Sequence, residues 1–182
     1  MLMKDIERTM SGYAQRFPGD DAAIVELWAL RQQKAEITSR KEFRGHITCG
    51  AIIIGKGGRL LMINHRSLER WLFPGGHLET ADVSLRAAAL REIAEETGVD
   101  ATSLSAPAAE FAALPIQIDC HMIPANPRKA EPAHRHFDFR FVFEGAPERL
   151  VPQLAEVSDC AWVAADNAPL PIRSRLYELD LI

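Results

Sequence analysis

The chain has 182 residues, 47% of them hydrophobic, with 25 acidic against 21 basic side chains and a formal net charge of −4. That length suits one domain with an accessory segment and the apolar content supplies a sizeable core, while the negative balance argues against general nucleic-acid binding through a basic surface. No apolar run approaches the ~20 residues of a membrane span, and Met1 to Tyr13 lacks the apolar core of a secretion signal, so the expectation is a cytoplasmic protein without a membrane partner.

Residues 1–44 read as a helical hairpin. Asp5 to Arg16 places Ile6, Met10 and Tyr13 at helical spacing, Asp21 to Lys34 does the same with Ile24, Leu27 and Trp28, and Pro18-Gly19-Asp20 separates them. The hairpin precedes a catalytic domain expected over residues 45–182; packing on that domain, covering its site and mediating a homodimer are all open to it. Ile47 to Ile54 then forms a β-branched strand, Lys56-Gly57-Gly58 a turn, and Arg59 to His65 a second strand, which together predict a hairpin. Cys49, Cys120 and Cys160 are few, scattered and without a CxxC pair, so they read as packing thiols.

Trp71, Leu72 and Phe73 lead into Pro74-Gly75-Gly76-His77-Leu78-Glu79, expected to be a tight turn in which glycine lets the backbone approach a ligand. Large apolar residues before a turn belong to the core, with stacking on a nucleobase as the alternative for Trp71 and Phe73. Ser84 to Thr97 contains no proline or glycine and is rich in Ala, Leu, Arg and Glu, which predicts a helix capped by Asp82 or Ser84 and ended by Gly98. Glu92, Glu95 and Glu96 fall at i, i+3 and i+4, so three carboxylates share one face. Such a cluster is a solvated surface or a site for a hard divalent cation, Mg²⁺ or Mn²⁺, and a glycine-rich segment beside it favours the cation.

Beyond the helix, strands are expected near Glu110 to Met122, His134 to Glu144 and Asp159 to Val163, with a last helix around Pro171 to Leu179. The order suggests an α/β sandwich on a mixed sheet. Alternation along His134 to Phe141 puts Phe137, Phe139 and Phe141 on one face and His134, His136, Asp138 and Arg140 on the other, joined by Asp119 and His121 from the preceding strand. That polar face is a solvated surface or the lining of a substrate pocket. A separate transition-metal site using His121, His134 or His136 is the third reading.

Gly76, Asp82, Arg91-Glu92-Ile93, Glu95-Glu96 and Gly98-Val99 resemble the signature of the Nudix hydrolases, G-x5-E-x7-R-E-U-x-E-E-x-G-U with U a bulky aliphatic residue. The chain reads G-x5-D-x8-R-E-I-x-E-E-T-G-V, with Asp82 at the first acid and one extra residue before Arg91. The resemblance implies an α/β (α+β) Nudix fold, a mixed sheet in an α/β/α sandwich carrying the N-terminal helical extension. It further implies Mg²⁺ or Mn²⁺ held by Glu92, Glu95, Glu96 and the Gly75 carbonyl, with Arg91 orienting the acids. Glu92 or Glu95 is the first candidate for general base; Glu144 and Glu156 are outside candidates.

The activity so implied is hydrolysis of a diphosphate linkage in a small molecule, a nucleoside diphosphate derivative such as an ADP-ribose-like compound, a nucleotide sugar or a nucleoside triphosphate, bound by His134, His136, Asp138 and Arg140. Pro115, sixteen residues after Val99, is similar in placement to a proline of ADP-ribose hydrolysing members. The tyrosine of diadenosine polyphosphate members and the SQPWPFP signature of NADH-cleaving members are absent. A catalytically weak nucleotide-binding regulator and an isomerase of allylic diphosphates, which would need Cys49 or Cys120 as a reactive thiol, are the alternatives on the same fold.

Overall fold

A computed structural model describes residues 1–182. It opens with α1 (Leu2–Arg16) and α2 (Ala22–Gln32). Ile6, Met10 and Tyr13 form the buried stripe of α1 and Ile24, Leu27 and Leu30 that of α2. Trp28, expected with the apolar set, is 36% exposed, because one helical position past Leu27 turns it off the buried face. Both helices lay their stripes on the same cluster as the sheet and the central helix, so the segment before residue 45 completes the core.

The strands are β1 (His46–Ile54), β2 (Leu60–His65), β3 (Arg70–Leu72), β4 (Gly75–His77), β5 (Gln117–Ile123), β6 (His134–Glu144) and β7 (Val157–Val163). Helix α3 (Leu85–Thr97) follows β4, and α4 (Leu170–Glu178) closes the chain. They make one mixed sheet in the order β3-β2-β1-β6-β5, with β4 added to β1 and β7 to β2. β1 and β6 run parallel over nine paired positions, from His46 beside His136 to Ile54 beside Glu144. The expected β1–β2 hairpin is paired only at its turn, Ile54 with Leu60; beyond it β1 takes β4 and β2 takes β7 as partners.

Alternation divides the sheet into two faces. Ile47, Cys49, Ala51 and Ile53 of β1 join Phe137, Phe139, Phe141 and Phe143 of β6 under α1, α2 and α3. Ile52, Ile54, Leu60 and Val142 point the other way and meet Ile172 and Leu176 of α4. This second core covers only one end of that face. The other end carries His46, Thr48, His136, Asp138 and Arg140.

One expected strand is shorter than its sequence suggests. Ala109–Phe111 is a 3₁₀ turn that sends Phe111 into the second core, and β5 starts only at Gln117. Pro115 explains the delay, since it has no N–H to give the ladder and restricts the residue before it. Cys49 lies in the core, and burial pushes its thiol well up; Cys120 is shifted the same way, mainly by burial. Neither carries the lowered pKa of a reactive thiol.

Ion pairs of Arg16 with Glu110, Asp20 with Arg175 and Glu26 with Arg135 tie the amino-terminal segment to the rest, and two of its side chains also take backbone N–H groups there. The carboxylate of Asp5 accepts the backbone N–H of Leu85 at 2.9 Å, capping the first turn of α3 from another helix. The Tyr13 hydroxyl donates to Asp20 and accepts the N–H of Ile118 at 3.2 Å. Tyr13→Phe leaves that buried N–H unpaired, so it is expected to lower unfolding free energy by about 1–3 kcal/mol in a urea titration. An unchanged midpoint would show that the Tyr13 hydroxyl contributes nothing to docking the helix.

Candidate active site

α3 forms as its sequence directs. The Ser84 hydroxyl accepts the Ala87 N–H at 3.1 Å as N-cap, and Gly98 closes the helix in the left-handed region at φ 69°. Asp82, the other candidate cap, is instead a partner of Arg91: its two oxygens receive Arg91 Nε and Nη2, both at 3.1 Å, and it also accepts the Glu79 N–H at 2.7 Å. Arg91 Nη1 donates to Glu92 at 2.9 Å and Glu95 at 3.0 Å, while Nη2 reaches the His77 carbonyl at 2.8 Å. One guanidinium therefore fixes the helix entry, two helix acids and β4 together.

The glycines act through close approach, not through a tight turn. Gly75 and Gly76 lie in the extended strand β4, and neither has a positive φ. A Cβ on Gly76 would come within 2.6 Å of the Glu92 carboxylate, and one on Gly75 within 2.6 Å of the Cys49 carbonyl. The Gly75 N–H donates to Glu96 at 2.9 Å. The expected turn is thus a strand wedged between β1 and α3, with room for no side chain at either position.

The three helix acids are unequal. Glu92 and Glu96 are buried, whereas the Glu95 side chain is 51% exposed. Burial pushes the Glu92 carboxyl up to about 7 despite Arg91 beside it, and the Glu96 carboxyl up to about 8 despite the Gly75 N–H. Asp82, Glu92 and Glu95 share the single cation Arg91, and Glu96 beside them has only the Gly75 N–H, which leaves three negative charges uncompensated when all four are ionised. An all-oxygen donor set with that deficit fits a hard divalent cation.

The polar end of the second sheet face is a connected network. Asp138 accepts from Thr48 Oγ1 at 3.1 Å and Arg140 Nε at 2.8 Å, and Arg140 Nη1 donates to Gln117 at 2.6 Å. Asp119 pairs with His121 at 2.9 Å and lies 3.5 Å from Arg140 Nη2. His134 is 5% exposed, with Nδ1 on the Pro132 carbonyl and Nε2 3.2 Å from His136 Nε2. Burial, then the surrounding imidazoles, push His136 down to about 2, so it is neutral. The structure adds His46, Thr48 and His77 to this end. Alternation from Thr48 could have drawn attention to His46; His77 was hidden inside the glycine segment.

Other candidates disperse. Phe73 packs on the second core while Trp71 is 40% exposed. Glu144 lies at the far end of β6 beside Ile54, away from α3. Glu156 is exposed and close enough to raise Glu96 further.

A family model of the NUDIX domain matches residues 44–180. The chain belongs to the Nudix family. As a Nudix enzyme it is a pyrophosphohydrolase, acting on acid anhydrides. A Lactococcus lactis protein named probable DHNTP pyrophosphohydrolase is 28% identical over 145 residues, covering 77% of this chain and 79% of its own. Similar folds are a C. elegans Ap4A hydrolase (TM-score 0.55, 17% identity, 74% of this chain and 94% of the other) and the E. coli dihydroneopterin triphosphate pyrophosphohydrolase (0.54, 18%, 72% and 92%). The NUDIX domain of Shewanella oneidensis NrtR, solved with ADP ribose, is also similar (0.52, 19%, 73% and 86%). No helix is long and apolar enough to cross a membrane.

The raised carboxyls make stability depend on pH in a defined direction. A folded pKa of about 7 or 8 against 4.5 for the free side chain favours folding fully below 4.5, and that contribution is lost as pH rises through 7 and 8. The depressed histidines His77 and His136 act oppositely, but their contribution is complete above 6.5. Chelator-treated protein is therefore expected to lose thermal stability between pH 6.5 and about 8, and Glu96→Gln to flatten that decline. A midpoint that is flat or rising over this interval in the parent protein would contradict the buried-carboxylate electrostatics.

Proposed function

We propose that this Nudix enzyme cleaves a diphosphate linkage in a nucleotide-like small molecule with Mg²⁺ or Mn²⁺ bound at α3. The observation that carries the reading is the pair of buried carboxylates, Glu92 and Glu96, raised in pKa and short of positive charge beside the glycine strand. Glu92, Glu96 and the Gly75 carbonyl would hold the cation. When bound, the cation neutralises charge on the diphosphate oxygens.

We assign Glu95 the proton transfer in place of a ligand role. It is the exposed acid of the three, and Arg91 steadies it through Oε2, which leaves Oε1 to accept a proton from the attacking water. Arg91 is a positioning residue, since its donors are spent on Asp82, Glu92, Glu95 and His77. Asp82 takes the place of the first acid of the family signature as the anchor of that guanidinium.

The substrate surface we infer is the polar end of the second sheet face, with Asp138 and Arg140 at its centre. Arg140 supplies the positive charge, although Asp138 and Asp119 share it. His134 and His136, expected among the contacts, lack what a phosphate selects: the first is buried with both nitrogens engaged, and the second is neutral. The Lactococcus relative adds dihydroneopterin triphosphate to the ADP-ribose-like compounds, nucleotide sugars and nucleoside triphosphates suggested by the sequence.

Phosphate release from that panel, coupled to a phosphatase and run with and without Mg²⁺, tests the reading. One substrate class is expected to be hydrolysed only with the metal. Glu96→Gln is expected to lower kcat by at least ~10²-fold, with circular dichroism unchanged. Full turnover in Glu96→Gln and Glu92→Gln would remove the proposed centre.

A further inference from the structure

Five of the six histidines gather on one end of the sheet. His46 opens β1 and pairs with His136 on β6 in the parallel ladder, and His77 on β4 pairs with Thr48, two residues along β1 on the same face. The rings of His46, His77 and His136 form a nearly equilateral triangle, with centroids 4.7, 5.1 and 5.1 Å apart. One nitrogen from each lies within 4.8 Å of the others. His134 stands over the same triangle, 5.0 Å from His46 and 5.1 Å from His136.

Hydrogen bonding sets the chemistry of these rings. His46 Nδ1 faces the Glu42 carbonyl at 3.1 Å and His134 Nδ1 the Pro132 carbonyl at 2.8 Å. A carbonyl only accepts, so both Nδ1 atoms carry the proton and both Nε2 atoms present a lone pair in the neutral ring. His46 is 1% exposed, and its Nε2 is buried with no partner at all. A buried acceptor without a donor calls for an occupant. The carbonyl contacts on the far nitrogens are the usual support of a metal-binding imidazole.

We propose that His46, His77 and His136 hold a transition-metal ion of the zinc class, with His134 Nε2 as the fourth ligand. Nitrogen donors of this kind select Zn²⁺ and its neighbours over Mg²⁺, so the site is chemically separate from the carboxylates of α3. Zinc–nitrogen bonds of about 2.0–2.1 Å put tetrahedral ligands about 3.4 Å apart. His134 and His136 already stand at 3.2 Å, and the other two rings close the remaining gap by side-chain rotation. Of the charged groups alongside, Arg40 opposes a cation, and Glu131, paired with it at 3.4 Å, offsets that in part.

Chelator-stripped protein in excess Mg²⁺ is titrated with Zn²⁺ by calorimetry and with Co²⁺ by visible absorption. The expected result is one Zn²⁺ per chain and the intense visible bands of tetrahedral Co²⁺. His136→Gln and His77→Gln should remove those bands and weaken Zn²⁺ binding by at least the about 10–100-fold known for lost supporting residues, while Glu96→Gln keeps both signals. Loss of binding in Glu96→Gln with retention in the histidine variants would transfer the ion to the carboxylates and overturn the proposal. Absence of stoichiometric binding by the folded parent protein would overturn it as well. The outcome is read without any activity measurement, so it stands or falls separately from the hydrolase assignment.

Discussion

The site depends on one cation standing among four acids. Arg91 is the only positive group within the cluster of Asp82, Glu92, Glu95 and Glu96, and every one of its nitrogens is used. Moving like charges out of water is costly unless opposite charge accompanies them. A single arginine is too little to neutralise the set and enough to keep its geometry. The fold thus accepts a local electrostatic debt at α3, held in place by hydrophobic packing beneath it through Leu85, Ala88, Ala89 and Ile93.

Strand β4 carries two unlike chemistries in three residues. Gly75 and Gly76 are bare so that the carboxylates of Glu96 and Glu92 can close on the backbone. His77, the next residue, points into the imidazole cluster on the other side of the sheet, while its carbonyl is held by Arg91. Hard oxygen donors and softer nitrogen donors are therefore kept apart by the thickness of one strand, and the donor type decides which ion each favours.

Local patterns made much of this legible. The caps of α3, the spacing of Glu92, Glu95 and Glu96, and the two faces of β6 are consequences of period and propensity, and they stand as the sequence implies. What escaped rests on pairing between distant segments. The parallel contact of β1 with β6 brings His46 beside His136 across 90 positions, and nothing near His46 signals it. Asp5 capping α3 and Asp82 bracing Arg91 escaped for the same reason, since an acid near a helix start has several orphan donors or cations to choose from. From sequence the glycine strand reads as a turn, because glycine serves both positive φ and close contact. Only the packing of β4 against Cys49 and Glu92 distinguishes them.

The docking of α1 bears on how the protein is made. Its apolar stripe leaves the ribosome before its partners do: the Tyr13 hydroxyl meets Ile118, 105 positions later, and the stripe shares its core with Phe137 to Phe143. At about 5–20 residues per second of synthesis, Tyr13 waits roughly 5–20 s for that partner. During translation, then, the stripe of α1 is made well before the sheet that covers it, and a segment made early finds its place late.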